Sequence, residues 1–67
     1  MKNQIKVLRR KRNISQEELA KRCGVTRQTI NAIENDKYDP TLMLAFKLAD
    51  VLQTNIDQLF IFKGESK

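Results

Sequence analysis

Apolar residues recur at intervals of three and four along most of the chain, the spacing that places them on one face of an α-helix. The clearest case predicts a core helix over residues 42–52, whose inward-facing residues are Leu42, Ala45, Leu48, Ala49 and Leu52. Shorter runs of the same spacing predict helices over residues 3–12, 16–23, 27–35 and 56–60. The β-forming residues at 60–62 predict a short strand, and residues 1–3 are its natural antiparallel partner.

Helix boundaries are marked by residues that suit them. Side-chain oxygens that can accept a hydrogen bond from the first turn precede four of the helices, at Ser15, Thr26, Thr41 and Asn55. Glu18, three residues after Ser15, completes the spacing of a capping box. Gly24 ends the second helix, because glycine adopts the left-handed conformation of a C-cap without strain. The sequence therefore predicts one all-α domain of five helices over residues 1–67, with a possible two-stranded β element formed by the termini.

Positive charge is concentrated in the first part of the chain. The 67 residues include 13 Lys or Arg and 8 Asp or Glu, a formal net charge of +5. Residues 1–37 contain ten of the basic and four of the acidic side chains, so this part has a net charge of +6 and the remainder −1. Such asymmetry favours a polyanionic partner, although a charged, solvated helical surface would have the same composition.

Several classes of protein are not expected from this composition. No apolar run approaches the ~18 residues of a membrane span, and Lys2 is not followed by the apolar stretch of a signal peptide, so we expect a cytoplasmic protein without a membrane partner. A single cysteine and no histidine make a disulfide framework, a Cys/His zinc site or a cofactor unexpected, and Cys23 is predicted to be a small core residue. Without a histidine, a glycine-rich phosphate loop or an activated nucleophile, neither an enzyme nor a small-molecule sensor is expected.

The second and third helices have the residue types of a helix-turn-helix. A small residue is needed where the helices cross, a glycine at the bend, an apolar residue in the corner and two more on the third helix, and these are Ala20, Gly24, Val25, Ile30 and Ile33. Any compact corner between two helices favours a similar set, so no single residue is informative. The joint pattern over residues 15–35 is what indicates the motif.

The run from Gln16 to Glu34, QEELAKRCGVTRQTINAIE, resembles the helix-turn-helix of the Cro/C1-type (XRE) family of phage repressors and bacterial regulators. The likeness extends to Leu8-Arg9 before the run and to Tyr38–Thr41 and the helix after it, about residues 3–60. It implies a lambda-repressor-like DNA-binding domain whose third helix enters the major groove. Short stand-alone members, such as the cytolysin repressor of enterococci, are homodimers that end in a small antiparallel β element.

Polar residues on one side of the third helix are candidates for reading DNA bases. A helical wheel places Thr29, Ile30 and Ile33 on one side. Arg27, Gln28, Asn31 and Asn35 lie on the other side. Guanidinium and carboxamide groups read guanine and adenine edges in the major groove, so Arg27, Gln28 and Asn31 are the predicted base-reading residues. The alternative is an ordinary solvated helix face.

Phosphate contacts are expected on both sides of that helix. The predicted residues are Gln16, Thr26, Asn35, Lys37 and Tyr38. Gln16 begins the second helix, so its side chain and the free backbone N–H groups there can face one phosphate. For Gln16 and Lys37 the alternative is simple exposure to solvent. The resemblance further implies a structural ion pair between Arg9 and Glu34, which ties the first helix to the third.

A dimer would supply the second reading helix, about 34 Å from the first, and would require a near-palindromic operator. The predicted interface is the apolar C-terminal set Ile56, Leu59, Phe60, Ile61 and Phe62, over about residues 56–63. These residues could instead only close the core of one chain. The predicted function is that of a repressor, and the alternative is an antitoxin or anti-activator whose main role is to bind a protein partner.

Overall fold

Residues 2–61, which the computed structural model describes, form five α-helices and one two-stranded sheet. The helices are α1 (Ile5–Lys11), α2 (Gln16–Cys23), α3 (Arg27–Glu34), α4 (Leu42–Val51) and α5 (Ile56–Leu59). Strands β1 (Lys2–Asn3) and β2 (Phe60–Ile61) are antiparallel, with Lys2 opposite Ile61 and Asn3 opposite Phe60. The predicted five-helix fold with a terminal β element is confirmed. Across residues 2–61, every helix falls short of the length and apolarity that a membrane span requires.

The first helix begins two residues later than the sequence pattern predicts. Asn3 belongs to β1, and its Oδ1 accepts a hydrogen bond from the N–H of Ile5 at 3.1 Å. Pairing with β2 therefore holds Lys2 and Asn3 extended, and α1 starts after the single residue Gln4. The outer ends of the predicted strands, Met1 and Phe62, lie outside the described residues.

All four predicted N-caps are confirmed. Each side-chain oxygen accepts from the backbone N–H three residues later, and the caps are Ser15, Thr26, Thr41 and Asn55. The capping box is only half formed, because the Glu18 carboxylate does not return to Ser15. It pairs instead with Arg22, one turn ahead on the exposed side of α2, at 2.9 Å.

Four helix ends turn through a residue in the left-handed conformation. These residues are Asn13 (φ 57°), Gly24 (φ 71°), Asp36 (φ 60°) and Gln53 (φ 53°). In each case the following N–H donates to the carbonyl five residues before it, at 2.9 to 3.1 Å. These hydrogen bonds satisfy carbonyl groups that a helix end leaves unpaired and reverse the chain within two residues.

The core lies where α2 packs against α3 and α4. Its most deeply buried side chains are Ile5, Leu19, Ile30, Ile33, Leu48, Leu52 and Leu59, each less than 2% exposed. Cys23 is buried beside them, as a small core residue would be. Burial raises the pKa of the Cys23 thiol, and the nearby Lys47 ammonium partly offsets this effect. The thiol form therefore predominates at neutral pH.

One predicted core residue is wrong. Leu42 is 69% exposed, and Leu44 takes the inward position at 7% exposure. Leu44 precedes Leu48 by four residues, so it continues the buried stripe toward the start of α4. Leu42 lies in the first turn to the side of that stripe. Met43 and Phe46, exposed by 69% and 57%, lie with it and form an apolar surface on α4.

The cap of the core helix gives a direct test of the fold. Thr41→Ala removes the oxygen that accepts from the N–H of Leu44, so we expect a loss of about 1 kcal/mol in the free energy of unfolding. For a domain of this size that corresponds to a fall in Tm of roughly 4–8 °C. Thr41→Ser keeps the oxygen and is expected to unfold within about 2 °C of the parent. Thermal unfolding followed by circular dichroism measures both, and equal losses would contradict the cap.

Candidate nucleic-acid interface

The turn between α2 and α3 sets the orientation of α3. Ala20 is 3% exposed where the helices meet, and Gly24 makes the bend with a φ of 71°. Val25 packs partly buried against the core in the corner. Ile30 and Ile33, 0% and 1% exposed, hold α3 against the domain. One side of the third helix therefore packs against the domain, and the opposite side is exposed.

The fully exposed side chains of α3 are all polar. The exposed residues are Arg27, Gln28, Asn31 and Asn35, the set that the helical wheel assigns to that face. Arg27 and Gln28 occupy the first turn, the end that would lead into a groove. The structure thus brings the three predicted base-reading residues together on one exposed surface.

The predicted phosphate contacts after α3 lie at its C-terminal end. Lys37 and Tyr38 are both exposed, and Tyr38 has 48% of its surface accessible to solvent. The Asn35 amide donates to the carbonyl oxygen of Asn31 at 2.9 Å, so it also stabilises the last turn of α3. The Thr26 hydroxyl accepts from the N–H of Thr29 at 3.2 Å and therefore caps the start of the helix.

Arg9 and Glu34 form an ion pair in the interior of the domain. Nε of Arg9 lies 2.7 Å from Oε2 of Glu34, and its Nη2 lies 3.3 Å from Oε1. The two side chains are only 10% and 2% exposed. The third guanidinium nitrogen, Nη1, donates to the carbonyl oxygen of Ile14 at 2.9 Å. One side chain therefore ties α1 to the end of α3 and to the loop before α2.

Gln16 extends this network to the surface of α3. Its Nε2 donates to Oε1 of Glu34 at 3.0 Å and to Oδ1 of Asn31 at 3.2 Å. Neither contact is visible in the sequence, because the partners are fifteen and eighteen residues away. A predicted phosphate-contacting residue and a predicted base-reading residue are thus directly connected.

A basic cavity of about 460 Å³ opens beside the start of α2. It is lined by Lys6, Arg9, Arg10, Ser15, Gln16, Glu17 and Arg27. The N–H groups of Gln16 and Glu17 have no acceptor among the described residues, as expected in the first turn of a helix. Lys6 and Arg10 were not predicted as site residues. Their spacing of four on α1, each one residue after the buried Ile5 and Arg9, is the signal that places them together on one exposed side.

Two further polar residues support the site without facing it. Nδ2 of Asn3 donates to the carbonyl oxygen of Ile33 at 2.8 Å, which joins β1 to the end of α3. Nε of Arg12 donates to the carbonyl oxygen of Leu52 at 2.9 Å, which satisfies the C-terminal end of α4. In the sequence Arg12 is only one of the ten basic side chains of residues 1–37.

The predicted interface residues are divided by the structure. Leu59 and Phe60 are 0% and 4% exposed in the single chain, so their side chains belong to its core. Ile56 is half-buried, and Ile61 pairs through its backbone with Lys2. Phe62 lies outside the described residues. Among Ile56, Leu59 and Phe60, whose side-chain burial the structure describes, Ile56 alone keeps apolar surface that a partner could contact.

Comparison with known proteins places this geometry among helix-turn-helix domains. The family model described as helix-turn-helix matches residues 5–59. An HTH-type transcriptional regulator of Methanocaldococcus jannaschii is 51% identical over 65 residues, covering 97% of this chain and 98% of that protein. The HTH-type transcriptional regulator YgzD of Bacillus subtilis is 41% identical over 66 residues, covering 98% of this chain and all of that protein.

Two solved structures are similar over most of the chain. The restriction-modification controller protein C.AhdI of Aeromonas hydrophila has a TM-score of 0.79 at 30% sequence identity and covers 85% of this chain and 86% of its own. The N-terminal DNA binding domain of SinR from Bacillus subtilis has a TM-score of 0.79 at 28% identity, with coverages of 92% and 91%. The overall fold of the chain thus recurs in both solved structures.

Proposed function

Because the chain belongs to the Cro/C1-type (XRE) family of helix-turn-helix DNA-binding transcriptional regulators, we propose that it is a cytoplasmic repressor that binds a near-palindromic operator as a homodimer. One observation carries the proposal. The third helix is locked by Ile30 and Ile33 and exposes only polar side chains on its other face, next to a basic cavity. A dimer on a promoter would exclude RNA polymerase by occupancy.

Base reading is assigned to Arg27, Gln28 and Asn31. Arg27 and Gln28 begin the helix and would enter the major groove first, where a guanidinium matches the two acceptors of guanine and a carboxamide matches the acceptor and donor of adenine. Their backbone is held in place by the Thr26 cap. Asn31, one turn later, would contact a neighbouring base pair.

Phosphate contacts fix the position of α3 in the groove. On one side the free N–H groups that begin α2 lie beside Lys6 and Arg10 in the basic cavity, a combination that favours an anion. On the other side Lys37 and Tyr38 follow α3 and are exposed, whereas the Asn35 amide between them and α3 already donates to Asn31. Because neither group touches base edges, both would add affinity without adding sequence preference.

Selection of bound sequences from a random DNA pool, at about physiological salt, tests the proposal. Non-specific phosphate binding is already weakened under those conditions, so enrichment reports base reading. We expect a two-fold symmetric motif whose half-sites are about 34 Å apart along the duplex. No enrichment above random DNA would refute sequence-specific binding. Placing the motif between promoter elements should reduce transcription in vitro, and an increase would refute repression.

Dimerisation through α5 can be tested at Ile56. Ile56→Asp places a charge at the half-buried Ile56 side chain on α5, where an acidic residue suits the first turn of the helix. Because Ile56 also packs against the core, thermal unfolding first establishes that the variant folds. We expect light scattering to show a shift from dimer to monomer. Val7→Asp, at a residue 50% exposed on α1, is the matched control and should leave the dimer intact. If Phe46→Asp dissociates the dimer and Ile56→Asp does not, the interface lies on the apolar surface of α4.

A further inference from the structure

The side chain of Gln16 joins the buried ion pair to the exposed face of α3. Its Nε2 lies within hydrogen-bond distance of both Oε1 of Glu34 and Oδ1 of Asn31. Glu34 is held in turn by Arg9, and its side chain is 2% exposed. One amide group therefore contacts the interior of the domain and a residue on the proposed DNA-facing surface.

The carboxylate determines which way the Gln16 amide turns. A carboxylate that is paired with Arg9 accepts hydrogen bonds and cannot donate them, so Gln16 must turn its NH₂ group toward Glu34. The second hydrogen of that NH₂ group points at Asn31 and needs an acceptor. Asn31 meets this need with its carbonyl oxygen, Oδ1, at 3.2 Å.

Asn35 holds Asn31 in the same orientation. Nδ2 of Asn35 lies 3.3 Å from Oδ1 of Asn31. Two donors, one from Gln16 and one from Asn35, thus converge on the oxygen side of the Asn31 amide. The NH₂ group of Asn31 meets no acceptor within residues 2–61, and the residue is exposed. Asn31 therefore offers only N–H donors to whatever docks on this face.

We propose that Gln16 is a positioning residue for base reading, which holds Asn31 so that Asn31 presents N–H donors to the major groove and selects guanine over adenine. The inference rests on the proposed function, in which α3 enters that groove. Guanine offers the acceptors N7 and O6 side by side. The bidentate contact of asparagine with adenine needs a side-chain acceptor as well as a donor, and the acceptor of Asn31 is already engaged.

The same geometry changes the role expected of Gln16. A phosphate oxygen needs a donor, and both side-chain hydrogens of Gln16 are engaged within the protein. Phosphate contact at this place would therefore come from the backbone N–H groups of Gln16 and Glu17, together with Lys6 and Arg10. The side chain of Gln16 acts through Asn31 and not through the DNA backbone.

The first experiment uses Asn31→Asp, which is nearly isosteric, keeps an acceptor for Gln16 and removes both donors. Selection from a random DNA pool with Asn31→Ala identifies the operator position that faces residue 31, as the position whose preference disappears. We expect guanine there for the parent protein. Asn31→Asp should lose that preference by about fivefold or more, with cytosine, which donates from N4, gaining. Adenine at this position in the parent, or an unchanged guanine preference in the variant, would overturn the proposal.

The second experiment uses Gln16→Met, which removes one of the two donors on Oδ1 of Asn31 and so frees that oxygen to accept from a base. We expect the preference at that one position to widen to guanine and adenine, while affinity for random DNA and its salt dependence stay unchanged. In the Asn31→Ala background, Gln16→Met should have no further effect on base preference, because it acts through the missing amide. A uniform loss of affinity for all sequences with a shallower salt dependence would make Gln16 a phosphate contact and overturn the proposal.

The outcomes separate this inference from the proposed function. If the parent protein enriches no sequence, both fail. If it enriches a motif and Asn31→Ala alters none of its positions, the proposed function stands and this inference is wrong. Thermal unfolding checks each variant, and because Asn31 is exposed, Asn31→Asp gives a result even where Gln16→Met does not fold.

Discussion

Replacing Arg9 by methionine is expected to destabilise the protein by about 3–5 kcal/mol. Glu34 would remain with a side chain that is 2% exposed and would lose its charged partner. An uncompensated charge in that position costs more than the pair contributed, because the low-dielectric interior penalises the Glu34 carboxylate and Arg9 no longer offsets that penalty. A domain of this length has a total stability of roughly 3–10 kcal/mol, so a large fraction of the variant would be unfolded.

A second Arg–Glu pair in the same chain provides the control. Arg22 and Glu18 lie 2.9 Å apart on α2, and their side chains are 52% and 46% exposed. Arg22→Met should cost no more than about 0.5 kcal/mol, because water screens the charges whether or not they pair. Urea denaturation followed by circular dichroism measures both variants. Equal and small losses would mean that Arg9 and Glu34 contribute no more than a surface pair.

Removing both charges separates the pair from the burial of each charge. Arg9→Met combined with Glu34→Leu leaves no stranded charge, so the double variant is expected to be more stable than Arg9→Met alone. The gain will be incomplete, because Gln16 and the carbonyl oxygen of Ile14 lose their partners. If the double variant is less stable than either single variant, the stranded-charge explanation is wrong.

The fold was predictable from sequence wherever it depends on local chemistry. The caps at Ser15 and Thr41 work through contacts three residues apart, so the residue type and its spacing are sufficient. The left-handed residue at Gln53 was not predictable, because glutamine has no preference for that conformation and only the packing of α4 and α5 requires the turn. The burial predicted for Leu42 is wrong for a related reason. Periodicity identifies the apolar face of a helix, but it does not show which turns of that face other helices cover.

The candidate site likewise has some features that the sequence predicts and others that depend on the fold. The two faces of α3 follow from the helical period, so the exposed set containing Arg27 and Asn31 follows from the amino-acid sequence alone. The hydrogen bonds of Gln16 do not, because they depend on how α2 crosses α3 and on the angle that the turn at Gly24 sets. The burial of Leu59 and Phe60 also depends on the whole fold, and it cannot be inferred from the number of apolar residues near the C-terminus.

Arg27→Ala is expected to weaken binding to the selected operator by about 1–3 kcal/mol, or roughly 5- to 150-fold. The exposed guanidinium in the first turn of α3 is proposed to make a bidentate contact with a base, and truncation leaves that base edge without a partner. Base preference should relax at one position in each half-site, while affinity for random DNA falls much less. Titration of operator and random duplexes at several salt concentrations measures both quantities.

Lys37→Ala is the matched control, because it also removes one positive charge from an exposed residue near α3. A phosphate contact carries no sequence information, so this variant should weaken binding to operator and random DNA alike and reduce the salt slope by about one unit. The ratio of operator to random affinity therefore distinguishes the two residues, whereas the loss in operator affinity alone does not. If Arg27→Ala leaves that ratio unchanged, Arg27 contacts the backbone, and base reading must depend on Gln28 and Asn31.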